Sequence, residues 1–173
     1  FRVATVNDAG SGSFTANTAA VIPRTTPGTP TSLAPTYRDA QVELTWNAPA
    51  SNGGASISDY TIQYSTDATN WTTFADGTST ATSATVTGLT NGTSYIFRVA
   101  ATNNVGNSAN SPSSSAVIPR TTPDEPTALS AAYGNTQVAL TWTTPASNGG
   151  AAISNYTIQY STNSGSSWTA FTR

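Results

Sequence analysis

The groups available for chemistry in this chain are carboxylates, tyrosines and hydroxyls, because its 173 residues include no histidine, no cysteine and no lysine. Catalysis through proton exchange or a covalent intermediate needs a side chain that titrates or attacks near neutral pH, and the missing types supply most such groups. The acids Asp39, Asp59, Asp67 and Asp76 lie far apart among turn-forming residues. A hydrolytic pair needs two carboxyls facing one bond, and this spacing pairs none. Isolated acids in turns cap or solvate their loops, so no catalytic residue is assigned and the chain reads as a non-enzyme. Asp124-Glu125, between Pro123 and Pro126, could contribute to a calcium site. Hard cations want six or more oxygens, so the pair reads as solvated linker, with no metal or cofactor.

Trp71 and Trp168 could each stack an indole on a sugar ring. The competing reading, which is preferred, is that each ring covers the open face of a sheet. Asn70-Trp71-Thr72, Asn91-Gly92-Thr93 and Asn155-Tyr156-Thr157 fit the N-glycosylation pattern. A net charge of −2 with 8% charged residues leaves little to attract phosphate backbones or an anionic bilayer. Nucleic acid is therefore excluded as a partner, and this stretch shows no membrane insertion. Without cysteine there are no disulfides, and without lysine there is no lysine–asparagine isopeptide bond; stability rests on packing and strand pairing.

The elements that position these residues are duplicated. Pro23-Arg24-Thr25-Thr26-Pro27 returns as Pro119-Arg120-Thr121-Thr122-Pro123, an offset of 96 (119 − 23). Trp46 returns as Trp142, Asn52-Gly53-Gly54 as Asn148-Gly149-Gly150, and Phe1-Arg2-Val3-Ala4 as Phe97-Arg98-Val99-Ala100. Such self-similarity marks a tandem repeat, and the chain reads as a window on a longer array. Late in the third copy the offset grows by one, aligning Trp168 with Trp71 and Arg173 with Asp76. Serine and threonine, roughly a third of the residues, alternate with apolar side chains, which is the pattern of polar-faced sheet rather than disorder.

Within the complete copy, Leu33 anchors a short edge strand after Pro27-Gly28-Thr29-Pro30. Val42, Leu44 and Trp46 share one face of a second strand, and Tyr60, Ile62 and Tyr64 one face of a third. Trp71–Phe74 and Ala84–Thr87 give two more. Tyr95, Phe97, Val99 and Ala101 point inward from a sixth, and a last strand runs through Ala116, Val117 and Ile118. The expected core is Leu33, Val42, Leu44, Trp46, Tyr60, Ile62, Tyr64, Val86, Leu89, Tyr95, Phe97, Val99 and Ile118. Seven short strands without helical periodicity predict an all-β antiparallel sandwich.

Pro30-x-x-Leu33, Leu44-x-Trp46, Tyr60-x-Ile62-x-Tyr64 and Gly88-Leu89-Thr90-Asn91-Gly92-Thr93-Ser94-Tyr95-x-Phe97-Arg98-Val99-x-Ala101-x-Asn103-x-x-Gly106 together resemble a fibronectin type III domain, in the style of bacterial arrays. The resemblance implies an immunoglobulin-like β-sandwich. It divides the chain into residues 1–24 (strands F and G of one repeat), 25–120 (a complete domain) and 121–173 (strands A, B, C and C′ of a third). The two partial repeats are expected not to be self-sufficient. The resemblance also assigns Trp46 and Trp142 to the structural core and Tyr95 to a tyrosine corner with a backbone partner near Leu89. Ligand-contacting loops would be Asn52-Gly53-Gly54 and the stretch holding Asn104, Val105 and Asn107, which lacks the family's integrin-binding Arg-Gly-Asp. The near identity of the two Asn-Gly-Gly loops argues for a geometric task. The function expected is a spacer, stalk or filament, extracellular or on the cell surface, partnered by neighbouring repeats. The alternatives are an adhesin recognising glycan or a surface protein, and an accessory region of a polysaccharide-degrading enzyme.

Overall fold

The alternation of apolar and polar side chains becomes an alternation of faces in a computed structural model that describes residues 1–172; Arg173 and its alignment with Asp76 lie outside the described residues. The strands are β1 (Val6–Asn7), β2 (Gly10–Ser11), β3 (Thr31–Arg38), β4 (Gln41–Asn47), β5 (Asp59–Ser65), β6 (Thr72–Thr73) and β7 (Ser83–Thr87). They continue with β8 (Ile96–Asn103), β9 (Gly106–Asn107), β10 (Thr127–Gly134), β11 (Gln137–Thr143), β12 (Ile158–Tyr160) and β13 (Thr169–Phe171), and no helix occurs among the described residues. One sheet has the order β3-β4-β7 and another β6-β5-β8-β9, while β1-β2, β10-β11 and β12-β13 form antiparallel pairs.

By contacts, the chain divides into two compact units: one of Phe1–Ala34, Leu44–Ala84 and Ile96–Ser115, the other of Pro35–Glu43, Thr85–Tyr95 and Ala116–Arg173. In the first, Leu44 and Trp46 of β4, Tyr60 and Ile62 of β5, and Phe97, Val99 and Ala101 of β8 are buried. The Trp46 and Tyr60 rings meet edge to face, with centroids 5.3 Å apart, and burial pushes the Tyr60 hydroxyl's pKa up. In the second, Val42, Val86, Leu89 and Tyr95 are buried. The Tyr95 hydroxyl accepts the Thr90 N–H at 3.2 Å, so the expected corner forms one residue past Leu89.

Three of the expected core residues are less covered. Leu33 and Tyr64 are half-buried, and Ile118 is 39% exposed. Leu33 lies on an outer strand of its sheet, and Tyr64 packs against Phe97 near the end of β5. The backbone bonds of Val117 to Tyr95 and the full burial of Pro119 turn that alternation inward at 117 and 119, leaving Ile118 outward. The first strand is also longer than expected: β3 has eight residues and tolerates Pro35 because it is an edge. Trp142, assigned to the core, is half-buried; its ring meets Tyr156 edge to face at 5.2 Å, as Trp46 meets Tyr60. Leu129, Leu140 and Ile158 line the same hollow, Leu129 exposed and the other two half-buried.

The last strand differs most from expectation. Beyond β9, every third residue faces every second residue of β8: the Ser108, Ser111 and Ser114 N–H groups donate to the Ala101, Val99 and Phe97 carbonyls, each at 2.8 Å. Their hydroxyls accept the N–H of those same residues at 2.9, 3.0 and 3.0 Å. A serine side chain thus replaces a backbone carbonyl as acceptor, satisfying an edge that would otherwise be open. The first repeat does likewise with threonine, since Val3 and Phe1 exchange such bonds with Thr15 and Thr18.

Left-handed backbone at non-glycine residues also recurs with the repeat: Ser32 and Ala128 (φ 56° and 52°), Ala40 and Thr136 (51° and 60°), Ala68 and Ser164 (63° and 56°). An L side chain is strained there. Ala40 follows β3 in the turn to β4 and its carbonyl accepts the Leu89 N–H at 2.9 Å, which holds the conformation in place. Ala40→Gly is expected to stabilise the protein by about 0.5–1 kcal/mol in urea denaturation; a destabilisation would show that the left-handed turn is not strained.

Candidate functional site

The Asn52-Gly53-Gly54 loop is built from its own side chains: Ser51 Oγ accepts the Gly53 N–H at 3.1 Å and Asn52 Oδ1 the Gly54 N–H at 3.0 Å. Its backbone faces the segment that enters the repeat. The Gly53 carbonyl accepts the Thr25 N–H at 2.9 Å, and the Ser51 carbonyl accepts the Gly28 N–H at 2.8 Å. Gly53 is buried at φ +72°, and a Cβ there would collide with the Thr25 and Thr26 carbonyl oxygens. Only glycine allows both the left-handed backbone and that approach.

The copy repeats this geometry. Gly149 O accepts the Thr121 N–H at 2.8 Å, Ser147 O accepts the Asp124 N–H at 3.0 Å, and a Cβ on Gly149 would collide with Thr121 O and approach Thr122 O. Asp124 therefore engages the loop through its backbone.

Asn103 completes the arrangement in the middle repeat. It is 4% exposed, its Nδ2 donates to the Thr25 and Asn52 carbonyls at 2.8 Å each, and its Oδ1 accepts the Val105 and Gly106 N–H at 2.8 and 3.2 Å. One amide thus joins the entering segment to both loops singled out in the sequence. Asn104, Val105 and Asn107 are exposed, Asn107 Oδ1 accepting the Thr102 hydroxyl at 2.8 Å. Asn103 stood in the sequence only as one position of a pattern; its partner Thr25 lies too far back for any local signal to join them.

The other candidates remain apart. The Arg98 guanidinium lies 4.0 Å from the Trp71 ring centroid and donates to Gln63 Oε1 at 2.8 Å, so one face of this indole is already occupied by a cation. Trp168 is 61% exposed. Asp39 accepts the Asn91 side-chain amide at 2.7 Å, and Asp59 accepts the Ser79 N–H at 2.9 Å. The Asn70 N–H and side-chain amide, the Thr69 N–H and the Ser65 hydroxyl hold the Asp67 carboxyl well below the usual carboxylate range. Burial, with a contribution from Asp59, pushes Asp76 up. Among the described residues no three acidic, histidine or cysteine side chains come together as a metal site. Of the glycosylation-pattern residues, Asn70 and Asn91 bond through their side-chain amides to Asp67 and Asp39 at 2.7 Å, and Asn155 accepts the Tyr156 N–H at 2.8 Å.

Comparison with known proteins gives this arrangement a family. The chain is 44% identical over 78 residues to a kelch domain-containing protein of Saccharolobus solfataricus, covering 44% of this chain and 10% of that protein. It is 37% identical over 84 residues to exoglucanase B of Cellulomonas fimi, covering 48% of this chain and 7% of that one. The chain thus spans a tenth or less of these curated relatives. Among solved structures, domains A168–A170 of titin superpose with a TM-score of 0.52 at 33% identity, over 55% of this chain and 32% of that one. The first three fibronectin domains of chicken CNTN1 superpose at 0.51 with 28% identity, over 68% and 42%. The fibronectin type III domain model matches residues 28–117, just over half of the chain, and with a sandwich of that topology and a buried tyrosine corner within the same residues, the chain belongs to the fibronectin type III family.

Proposed function

We propose that this chain is a non-catalytic spacer segment drawn from three successive fibronectin type III repeats (residues 1–24, 25–120 and 121–173), in an extracellular or cell-surface stalk, filament or layer, with neighbouring repeats as its partners. The observation that carries the reading is the use of the Asn-Gly-Gly loops. A recognition loop presents its backbone and side chains to a ligand, whereas here Gly53 and Gly149 are buried against the segments that lead into their own repeats. The same contacts made twice at the repeat interval suit a mechanical part. Adhesin-type recognition would have to rely on Asn104, Val105 and Asn107 together with Asn52 and Gly54, which are exposed on either side of the buried Gly53.

A second reading, an accessory region of a polysaccharide-degrading enzyme, is favoured by the likeness to exoglucanase B. Sedimentation with insoluble cellulose, chitin and xylan, together with a printed glycan array, separates these. The spacer reading expects no saturable retention of the chain. Saturable binding that is lost on Val105→Ala or Asn104→Ala would overturn it in favour of the adhesin, and retention on cellulose alone in favour of the accessory region.

A further inference from the structure

From Pro119 to Asp124 the connection between repeats is held by backbone bonds at Pro119, Arg120, Thr121 and Asp124. On the side of the middle repeat, the Gly92 N–H donates to the Pro119 carbonyl at 2.9 Å and the Arg120 N–H to the Arg38 carbonyl at 3.2 Å. The Arg120 guanidinium lies 3.9 Å from the Tyr37 ring centroid, and Pro119 is fully buried. On the side of the following repeat, Thr121 and Asp124 are bonded to Gly149 and Ser147 as described above. The register passes from one repeat to the next between Arg120 and Thr121, adjacent residues whose N–H groups are bonded to opposite sides of the joint.

The two repeats also touch directly. Gly92 (φ +85°) and Gly150 (φ +86°) meet backbone to backbone: a Cβ on Gly92 would lie 3.3 Å from Gly150 Cα, while one on Gly150 would collide with Gly92 N and lie 2.8 Å from Asn91 C. Asn91 is itself fixed, its Oδ1 accepting the Ala40 N–H at 2.9 Å and its Nδ2 donating to Asp39 at 2.7 Å. All of these residues belong to one of the compact units.

We propose that the Asn91-Gly92 turn of one repeat and the Asn148-Gly149-Gly150 loop of the next form a glycine-on-glycine seat that sets the angle between successive modules, the occupant of each turn being the Asn-Gly-Gly loop of the following module. The purpose of the seat rests on the spacer reading; its geometry does not. The loop then has two jobs divided between its glycines, the first admitting its own entering segment and the second the preceding module. This explains why both are glycine in both copies: Gly54 has the same left-handed backbone (φ +77°).

Residual dipolar couplings on the intact chain test this. Amides of residues 30–115 and 121–172 are expected to fit one alignment tensor. Gly150→Asn and, from the opposite side, Gly92→Asn add a side chain that tolerates left-handed backbone, and each is expected to split the fit into two tensors. Gly54→Asn carries the same backbone demand away from the seat and should leave the single tensor intact. Two tensors in the unaltered chain, no measurable couplings for 121–172, or an unchanged single tensor in both seat variants would each overturn the proposal. None of these results touches the ligand-binding test of the spacer reading, and a bound glycan would overturn that reading while leaving a single tensor in place.

Discussion

Trp46→Ala is expected to destabilise the protein by about 3–5 kcal/mol, a large part of the roughly 5–15 kcal/mol that holds a domain of this kind folded. The ring is 5% exposed and meets Tyr60 edge to face at 5.3 Å, so its removal opens a cavity between the two sheets and strips Tyr60 of its aromatic partner. The indole Nε1 is buried without a hydrogen-bond partner among the described residues. Its contribution is therefore packing, and the unpaired donor is a cost of about 1–3 kcal/mol carried by the native state. Trp46→Phe, which keeps an aromatic ring and deletes that donor, should retain most of the stability. Trp142→Ala should cost less than Trp46→Ala, because Trp142 is only half-buried. Urea denaturation followed by circular dichroism measures all three; an alanine variant at position 46 within about 1 kcal/mol of the parent would show that the ring lies outside the core.

Asn103→Ala is expected to cost about 2–4 kcal/mol, since four hydrogen bonds are lost at once and two carbonyls and two N–H groups lose a buried partner. Asn103→Asp is the sharper test. Its carboxylate would keep the Val105 and Gly106 N–H groups but would face the Thr25 and Asn52 carbonyls, where the amide now donates at 2.8 Å. Burial and that repulsion raise the new carboxyl's pKa above its unfolded value of about 3.9. Relative to the parent, the variant should thus be least destabilised below that pH, fall further behind as pH rises through the raised folded value, and lag most at neutral pH. A difference from the parent that stays flat across that window would mean that Asn103 does not donate to the joint. The Thr25 amide should exchange faster with solvent in both variants, because the segment it belongs to is released from the loop.

The parts of the fold legible in the sequence were those written in side-chain alternation. Val42, Leu44 and Trp46 are buried between less covered neighbours, and such a pattern survives any tertiary context because one face must leave water. The corner at Tyr95 followed from family likeness. Ser108, Ser111 and Ser114 were illegible because they recur every third residue among polar neighbours, a spacing that belongs to neither strand nor helix periodicity and reads as loop. Their role appears only when β8 is placed beside them. Ile118 failed for a related reason: apolar character alone cannot say which face a residue occupies when the strand's phase is set by Val117 and Pro119. At the candidate site, the repeated Asn-Gly-Gly pointed to a geometric task, but what the glycines admit is backbone from elsewhere in the chain, and sequence carries no mark of that.

The serine-lined edge has a mechanical corollary. From Ser108 to Val117 the chain advances nine residues while the strand beside it, from Ala101 back to Tyr95, advances six. At about 3.3 Å per extended residue, the segment therefore contains about 10 Å more contour than the distance it covers. That length is stowed as one extra residue in each of the intervals 108–111, 111–114 and 114–117, the last closed by the Val117–Tyr95 backbone pair. Parting those contacts from Val117 toward Ser108 would release that length from the edge of the middle repeat, in series with the connection that begins at Pro119.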